Sequence, residues 1–214
     1  MIDFRLCLVT NRTYCQSTPR GNTDTRTPLE RAIATACRSG VRAVQLREKD
    51  LDARDLFDVA SDLRRITTQY ACTFLVNERV DVALATAADG VHCPELGFPP
   101  EAARKILGAA AVIGVSCHSL EAVQRAESSG ADLAFYGPVF PTRSKSGTPT
   151  GLDALHEVCT RVAMPVFAIG GITPEHSARC MEAGASGVAV VSALLGAKDI
   201  GASVRAFEEA IGHL

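Results

Sequence analysis

A single (β/α)8 barrel is the fold this sequence predicts, and three observations predict it. Eight short, nearly continuous apolar runs recur along the 214 residues, as expected of parallel strands covered on both faces. Helical patterns with recognisable starts and glycine stops lie between them. The spacing leaves about 27 residues per strand–helix unit, close to the lower size limit of that architecture. An open doubly wound sheet is the alternative. No Pro/Gly/Ser-rich linker or low-complexity run interrupts the middle of the chain, so residues 1–214 are expected to form one domain.

The strand candidates are residues 5–9, 43–46, 73–76, 90–92, 112–115, 133–136, 166–169 and 187–191. Thr27-Pro28-Leu29-Glu30 reads as a capping box with proline at the first helical position. Ser119-Leu120-Glu121 and Thr173-Pro174-Glu175 start helices in a related way. Ser39-Gly40, Ser129-Gly130 and Ala183-Gly184 read as helix ends, because glycine takes the left-handed conformation that closes a helix. Residues 11–26 form a polar loop after the first strand. That position puts the loop on the catalytic face of a barrel, where it is expected to be mobile and to serve as a lid.

Composition narrows the function. Apolar residues make up 47% and charged residues 21%, which excludes a disordered chain. The net charge of −2 argues against a nucleic-acid partner. No apolar run reaches the roughly 18 residues a membrane helix needs. Met1-Ile2-Asp3-Phe4-Arg5 has neither a basic nor a long apolar segment, so no secretory signal is expected. Eight cysteines, at 7, 15, 37, 72, 93, 117, 159 and 180, contain no C-x-x-C pair. They read as buried free thiols of a reducing cytoplasm.

Barrel enzymes carry their chemistry at the C-terminal ends of strands. The second strand ends in Gln45-Leu46-Arg47-Glu48-Lys49. Period-two alternation sends Gln45, Arg47 and Lys49 to one side. Two cations and an amide suit a phosphate or diphosphate. The alternative is a solvated strand end paired with Glu48 or Asp50. After the third strand, Asn77 suits a polar ligand and Glu78 suits Mg2+, which takes one or two carboxylates plus phosphate oxygens. A helix cap followed by a first-turn acid would read the same way.

His92 ends the fourth strand, and Ser116-Cys117-His118-Ser119 follows the fifth. His118 suits general acid–base work, since histidine titrates near neutrality. Ser119 reads as a helix cap. The sixth strand leads into Gly137-Pro138-Val139-Phe140-Pro141-Thr142-Arg143-Ser144-Lys145, whose hydroxyls and cations can wrap an anion. Gly170-Gly171 and Val191-Ser192 end the last two strands. Phosphate sites after those strands are frequent in barrels, built from close backbone approach and a helix N-terminus. Two anion sites on one face suggest two phosphorylated small-molecule substrates, or one substrate phosphorylated at both ends.

Taken in order, Gln45-x-Arg47-x-Lys49, the Asn77 segment, Gly137 to Lys145 and Gly170-Gly171-Ile172 resemble the thiamin phosphate synthase/TenI family of (β/α)8 barrels. The resemblance runs from about residue 5 to the C-terminus. It implies a Mg2+-dependent transferase that couples hydroxymethylpyrimidine diphosphate to thiazole phosphate and releases pyrophosphate. By that resemblance, Gln45, Arg47, Lys49, Asn77, Thr142, Ser144 and Lys145 hold the pyrimidine diphosphate, and Ser116 lines the same pocket. Gly171, Val191 and Ser192 hold the thiazole phosphate, and Gly170 adjoins them. The resemblance also allows a homodimer.

Two departures stand out. Glu78 occupies a position where the synthase pattern has aspartate. Gly97, in Pro94-Glu95-Leu96-Gly97, stands where a second acid for Mg2+ belongs, with Glu95 the nearest substitute. The segment is closer to the TenI branch, some of whose members are thiazole tautomerases with an acid–base histidine at the position of His118. A tautomerase would need no metal and no diphosphate site, so Gln45, Arg47 and Lys49 favour the synthase. A phosphate-binding regulator without turnover is the third possibility.

Overall fold

The computed structural model describes residues 2–15, 27–142 and 148–212. Ser144 and Lys145, and residues 16–26 of the expected lid, lie outside the described residues. Eight parallel strands close into a barrel in sequence order. They are β1 (Leu6–Val9), β2 (Ala43–Leu46), β3 (Thr73–Asn77), β4 (Gly90–Cys93), β5 (Val112–Cys117), β6 (Leu133–Tyr136), β7 (Val166–Ile169) and β8 (Gly187–Val190). Strand β8 pairs back onto β1 through Leu8 and Val190, so no sheet edge is left open.

The helices form the outer ring: α1 (Pro28–Ser39), α2 (Ala53–Gln69), α3 (Val80–Ala85), α4 (Pro100–Leu107), α5 (Leu120–Ser128), α6 (Gly151–Arg161), α7 (Pro174–Glu182), α8 (Ser192–Leu195) and α9 (Ile200–Ile211). The starts follow the expected chemistry. Thr27 and Glu30 form a reciprocal capping box on α1. Ser119 accepts from the Ala122 N–H and Thr173 from the His176 N–H. Gly40, Gly130 and Gly184 follow helices at φ +132°, +80° and +97°.

Three strands run further than the expected runs, β4 by the single residue Cys93, which pairs with Val115. Asn77 stays in register with His92, and Ser116 and Cys117 with Phe135 and Tyr136. The ladder needs only backbone groups, so polar residues continue it past the point where apolar patterning stops. Alternation then divides the core in two. Outward residues such as Leu8, Val44, Phe74, Val76 and Ile113 pack under the helices. Inward residues Phe4, Cys7, Val9, Ala43, Leu133, Phe135, Phe167 and Ala189 fill the barrel. Its axis is a column of rings: Phe4 to Phe167 at 5.3 Å, Phe167 to Phe135 at 5.8 Å, and Phe135 to His92 at 4.4 Å. The barrel is therefore plugged, and His92 caps the plug at its C-terminal end.

The start of the expected lid is anchored. Residues 12–14 form a 3-10 turn. Glu48, its side chain 3% exposed, accepts from the Arg12 backbone N–H at 3.0 and 3.2 Å and from Arg12 Nη1 at 3.1 Å. Arg12 also donates to both oxygens of Asp50 at 2.7 Å. This hydrogen-bonded guanidinium holds the Asp50 carboxyl below the usual carboxylate range. Breaking a buried pair from one side costs 3–5 kcal/mol when the stranded charge stays buried. Arg12 can turn to water, so Glu48→Ala is expected to cost about 1–3 kcal/mol. Urea unfolding measures it, and an unchanged midpoint would show that the anchor contributes nothing.

Candidate active site

The inward alternation on neighbouring strands delivers polar side chains to one cavity of about 320 Å³ above the aromatic plug. Gln45, Arg47 and Lys49 from the end of β2 line it, together with Asn77, His92, Ser116, His118, Thr142, Gly170, Gly171, Val191 and Ser192. Of the expected site residues, Ser144 and Lys145 lie outside the described residues, and Glu78 sits beside the cavity. A larger open depression of about 890 Å³, lined by Arg5, Arg42 and Arg205 among others, lies at the opposite end of the barrel and contains none of the expected residues.

The cationic side is built by subtraction. Arg47 and Lys49 flank Glu48, and a pairing with Glu48 or Asp50 was one reading of the sequence. Both acids are instead taken by Arg12. Among the described residues, no carboxylate pairs with Arg47 or Lys49, so their charge is directed to the cavity. Gln45, 2% exposed, donates from Nε2 to Asn77 Oδ1 at 2.9 Å. Asn77 Nδ2 in turn donates to Glu78 Oε2 at 2.9 Å. This chain fixes both amides without using Arg47 or Lys49.

Glu78 does not open a helix. Arg79 occupies the cap position of α3 and makes no side-chain capping bond. Glu78 lies at φ +62°, a left-handed conformation uncommon for a residue with a side chain. Its N–H donates to the His92 carbonyl at 2.9 Å, which holds the turn. The carboxylate borders a second hollow shared with Lys49 and Asn77. Among the described residues, no group of three or more His, Cys, Asp or Glu side chains converges to hold a metal. One carboxylate beside two cations fits an ion that borrows its other ligands from diphosphate and water; it does not fit an all-protein cage.

The missing second acid has a structural reason. Gly97 closes a turn by donating to the Pro94 carbonyl at 3.0 Å. A Cβ there would lie 2.6 Å from the Pro94 ring, so an aspartate would require a different turn. Glu95 is engaged elsewhere. Its Oε2 lies 2.8 Å from His118 Nδ1 and its Oε1 3.3 Å from Arg125 Nη2. A carboxylate accepts only, so His118 donates from Nδ1. Deeper on the same two strands, His92 Nε2 and Ser116 Oγ are 2.9 Å apart.

The glycine side is a backbone surface. Gly170 and Gly171 lie at φ +96° and +66°. The sequence suggested that their bareness admits a ligand. In the fold, much of that space is taken by the chain itself. A Cβ on Gly170 would meet Pro138 at 2.6 Å, and one on Gly171 the Pro141 carbonyl oxygen at 2.4 Å. The two glycines therefore let residues 137–142 lie directly on the end of β7. Their cavity-facing edge joins Thr173, Val191 and Ser192, where the first turns of α7 and α8 leave N–H groups without helical partners.

Sequence reasoning did not foresee the Arg12–Glu48–Asp50 cluster or the engagement of Glu95 by His118. The only available signal for the first was an acid lying between two cations. The cysteines behave as expected. Six of the eight are buried and all are free. Burial pushes Cys93 up to about 11 and Cys117 and Cys180 up to about 12, so these thiols remain protonated near neutrality. Among the described residues, no helix is long and apolar enough to cross a membrane.

The family described as thiamine monophosphate synthase matches residues 6–194. A thiamine-phosphate synthase of Moorella thermoacetica is 40% identical over 186 residues, covering 86% of this chain and 89% of the relative. One of Roseiflexus sp. is 42% identical over 195 residues, covering 88% and 83%. The solved thiamine phosphate pyrophosphorylase of Pyrococcus furiosus superposes with a TM-score of 0.84 at 33% identity, covering 97% of this chain and 95% of that one.

Proposed function

The chain belongs to the thiamine monophosphate synthase family, and from that premise we infer that it is a transferase joining hydroxymethylpyrimidine diphosphate to thiazole phosphate, with release of pyrophosphate. One observation carries the assignment of roles: the cation pair Arg47 and Lys49 and the backbone surface of Gly171, Val191 and Ser192 line the same cavity. Each suits one of the two phosphorylated ends.

In this reading Gln45 and Asn77, locked to each other, orient the pyrimidine, with Ser116 and Thr142 lining the same pocket. Arg47 and Lys49 meet the diphosphate, joined by Ser144 and Lys145. Negative charge builds on that group as its bond to the pyrimidine methylene carbon breaks, and the two cations stabilise it most at that point. The thiazole nitrogen forms the new bond to the same carbon. Gly171, Val191 and Ser192 hold the thiazole by its phosphate, which makes the attack effectively intramolecular. No protein nucleophile is required. His118, oriented by Glu95, faces the cavity as an acid–base group. Glu78 would hold Mg2+ together with the diphosphate oxygens, and the ion would supply further neutralisation of the leaving group.

The test is thiamin phosphate formation from the two substrates, with and without Mg2+, alongside the Lys145→Ala variant. Mg2+-dependent product that falls in the variant is the expected result. Absence of product from folded protein overturns the assignment. Glu78→Gln is expected to raise the Mg2+ concentration needed for half-maximal rate by about tenfold or more. An unchanged requirement removes Glu78 from the ion.

A further inference from the structure

His176 lies outside the cavity lining, yet it touches both segments that form the phosphate side of the site. It stands on the first turn of α7, where its own N–H donates to Thr173 Oγ1 at 3.3 Å. Its Nδ1 lies 2.7 Å from the Gly171 carbonyl oxygen. A carbonyl accepts only, so Nδ1 carries the proton and donates. The ring also stacks on Phe140, with centroids 3.9 Å apart and planes within 7°. The Arg179 guanidinium is 5.9 Å from the Phe140 centroid. Phe140 is tied to β7 in turn, because its N–H donates to the Gly170 carbonyl at 3.1 Å.

These contacts have separable consequences. A bond to the Gly171 carbonyl fixes the plane of the Gly171–Ile172 peptide. Gly171 has no side chain and a wide conformational range, so that plane is otherwise poorly determined. The stack on Phe140 holds residues 137–142 against β7, and two residues beyond Phe140 is Thr142, which faces the cavity. We propose that His176 is a positioning residue for the synthase site: its hydrogen bond orients the backbone that receives the thiazole phosphate, and its stack holds the segment that brings Thr142 to the diphosphate. The proposal rests on the synthase assignment above.

Two variants separate the roles. The Asn amide nitrogen falls where His Nδ1 lies, so His176→Asn keeps the donor and removes the stack. His176→Phe keeps the stack and removes the donor. Steady-state kinetics with both substrates varied is the measurement. His176→Phe is expected to raise KM for the thiazole phosphate about tenfold with little change in KM for the pyrimidine diphosphate. His176→Asn is expected to keep the thiazole KM within about twofold of the parent and to raise the diphosphate KM severalfold. A merely structural histidine would lower Tm and leave both KM values unchanged, or move them in parallel; either result overturns the proposal. Failure of the parent chain to make thiamin phosphate would instead overturn the synthase assignment. In that case the thermal shift produced by inorganic phosphate decides the matter: an equal shift in the parent and His176→Phe overturns the role of His176.

Discussion

Arg47→Ala is expected to lower kcat/KM for thiamin phosphate formation by about 100- to 1,000-fold and to leave the unfolding midpoint nearly unchanged. The size follows from where the charge points. Glu48 and Asp50 are both engaged by Arg12, so among the described residues Arg47 supports no internal ion pair whose loss would unfold the barrel. Its field acts on the cavity, where a diphosphate gains negative charge as it leaves. Stabilisation of that kind belongs to the transition state, so kcat should fall at least as much as KM rises. Arg47→Lys should recover part of the rate, because it keeps the charge and loses the two-pronged geometry that matches phosphate oxygens. Steady-state kinetics on the three proteins measures both effects. A rate for Arg47→Ala within a factor of three of the parent would remove Arg47 from the diphosphate site.

Gly171→Ala is expected to destabilise the fold by about 2–4 kcal/mol and to weaken the thiazole phosphate site with it. Two costs combine. At φ +66° an alanine sits in the left-handed region, worth about 1–2 kcal/mol. Its Cβ would also lie 2.4 Å from the Pro141 carbonyl oxygen and 2.9 Å from Phe140 Cβ. A backbone oxygen cannot swing aside, so residues 140–142 must shift away from β7. Gly130→Ala is the internal control. Gly130 lies at φ +80° with nothing within 4 Å of an added Cβ, so it carries the conformational cost alone. Urea unfolding of the pair should therefore separate the clash from the φ penalty. Equal losses in the two variants would mean that the 137–142 segment does not press on Gly171.

The fold was legible because each barrel unit repeats the same local signals. Apolar runs placed all eight strands, and the Thr27–Glu30 box, Ser119 and Thr173 placed helix starts. Errors fell at strand ends, where polar Asn77 and Ser116 continue the ladder and the buried thiols of Cys93 and Cys117 extend it. Much of the site was legible for a related reason. Cations and amides at the inward positions of a strand end are unusual in a packed core, so Gln45, Arg47, Lys49 and Asn77 read as cavity residues, and all four line the cavity.

Local signals in the chain were enough to set the period of the strands, the caps of the helices, and which polar residues emerge at the C-terminal ends. These depend on neighbours within a turn or a strand. Pairing across the barrel came from its closure. Arg12 reaches 36 residues to Glu48 and leaves Arg47 and Lys49 for the cavity. Glu95 turns to His118, 23 residues away, and the Pro94–Gly97 turn leaves no room for a second acid. His176 and Phe140 meet face to face across the ends of β6 and β7. Such choices are set by which loops lie side by side once the barrel closes, and a charge or a ring in the chain carries no mark of the partner that closure will bring to it.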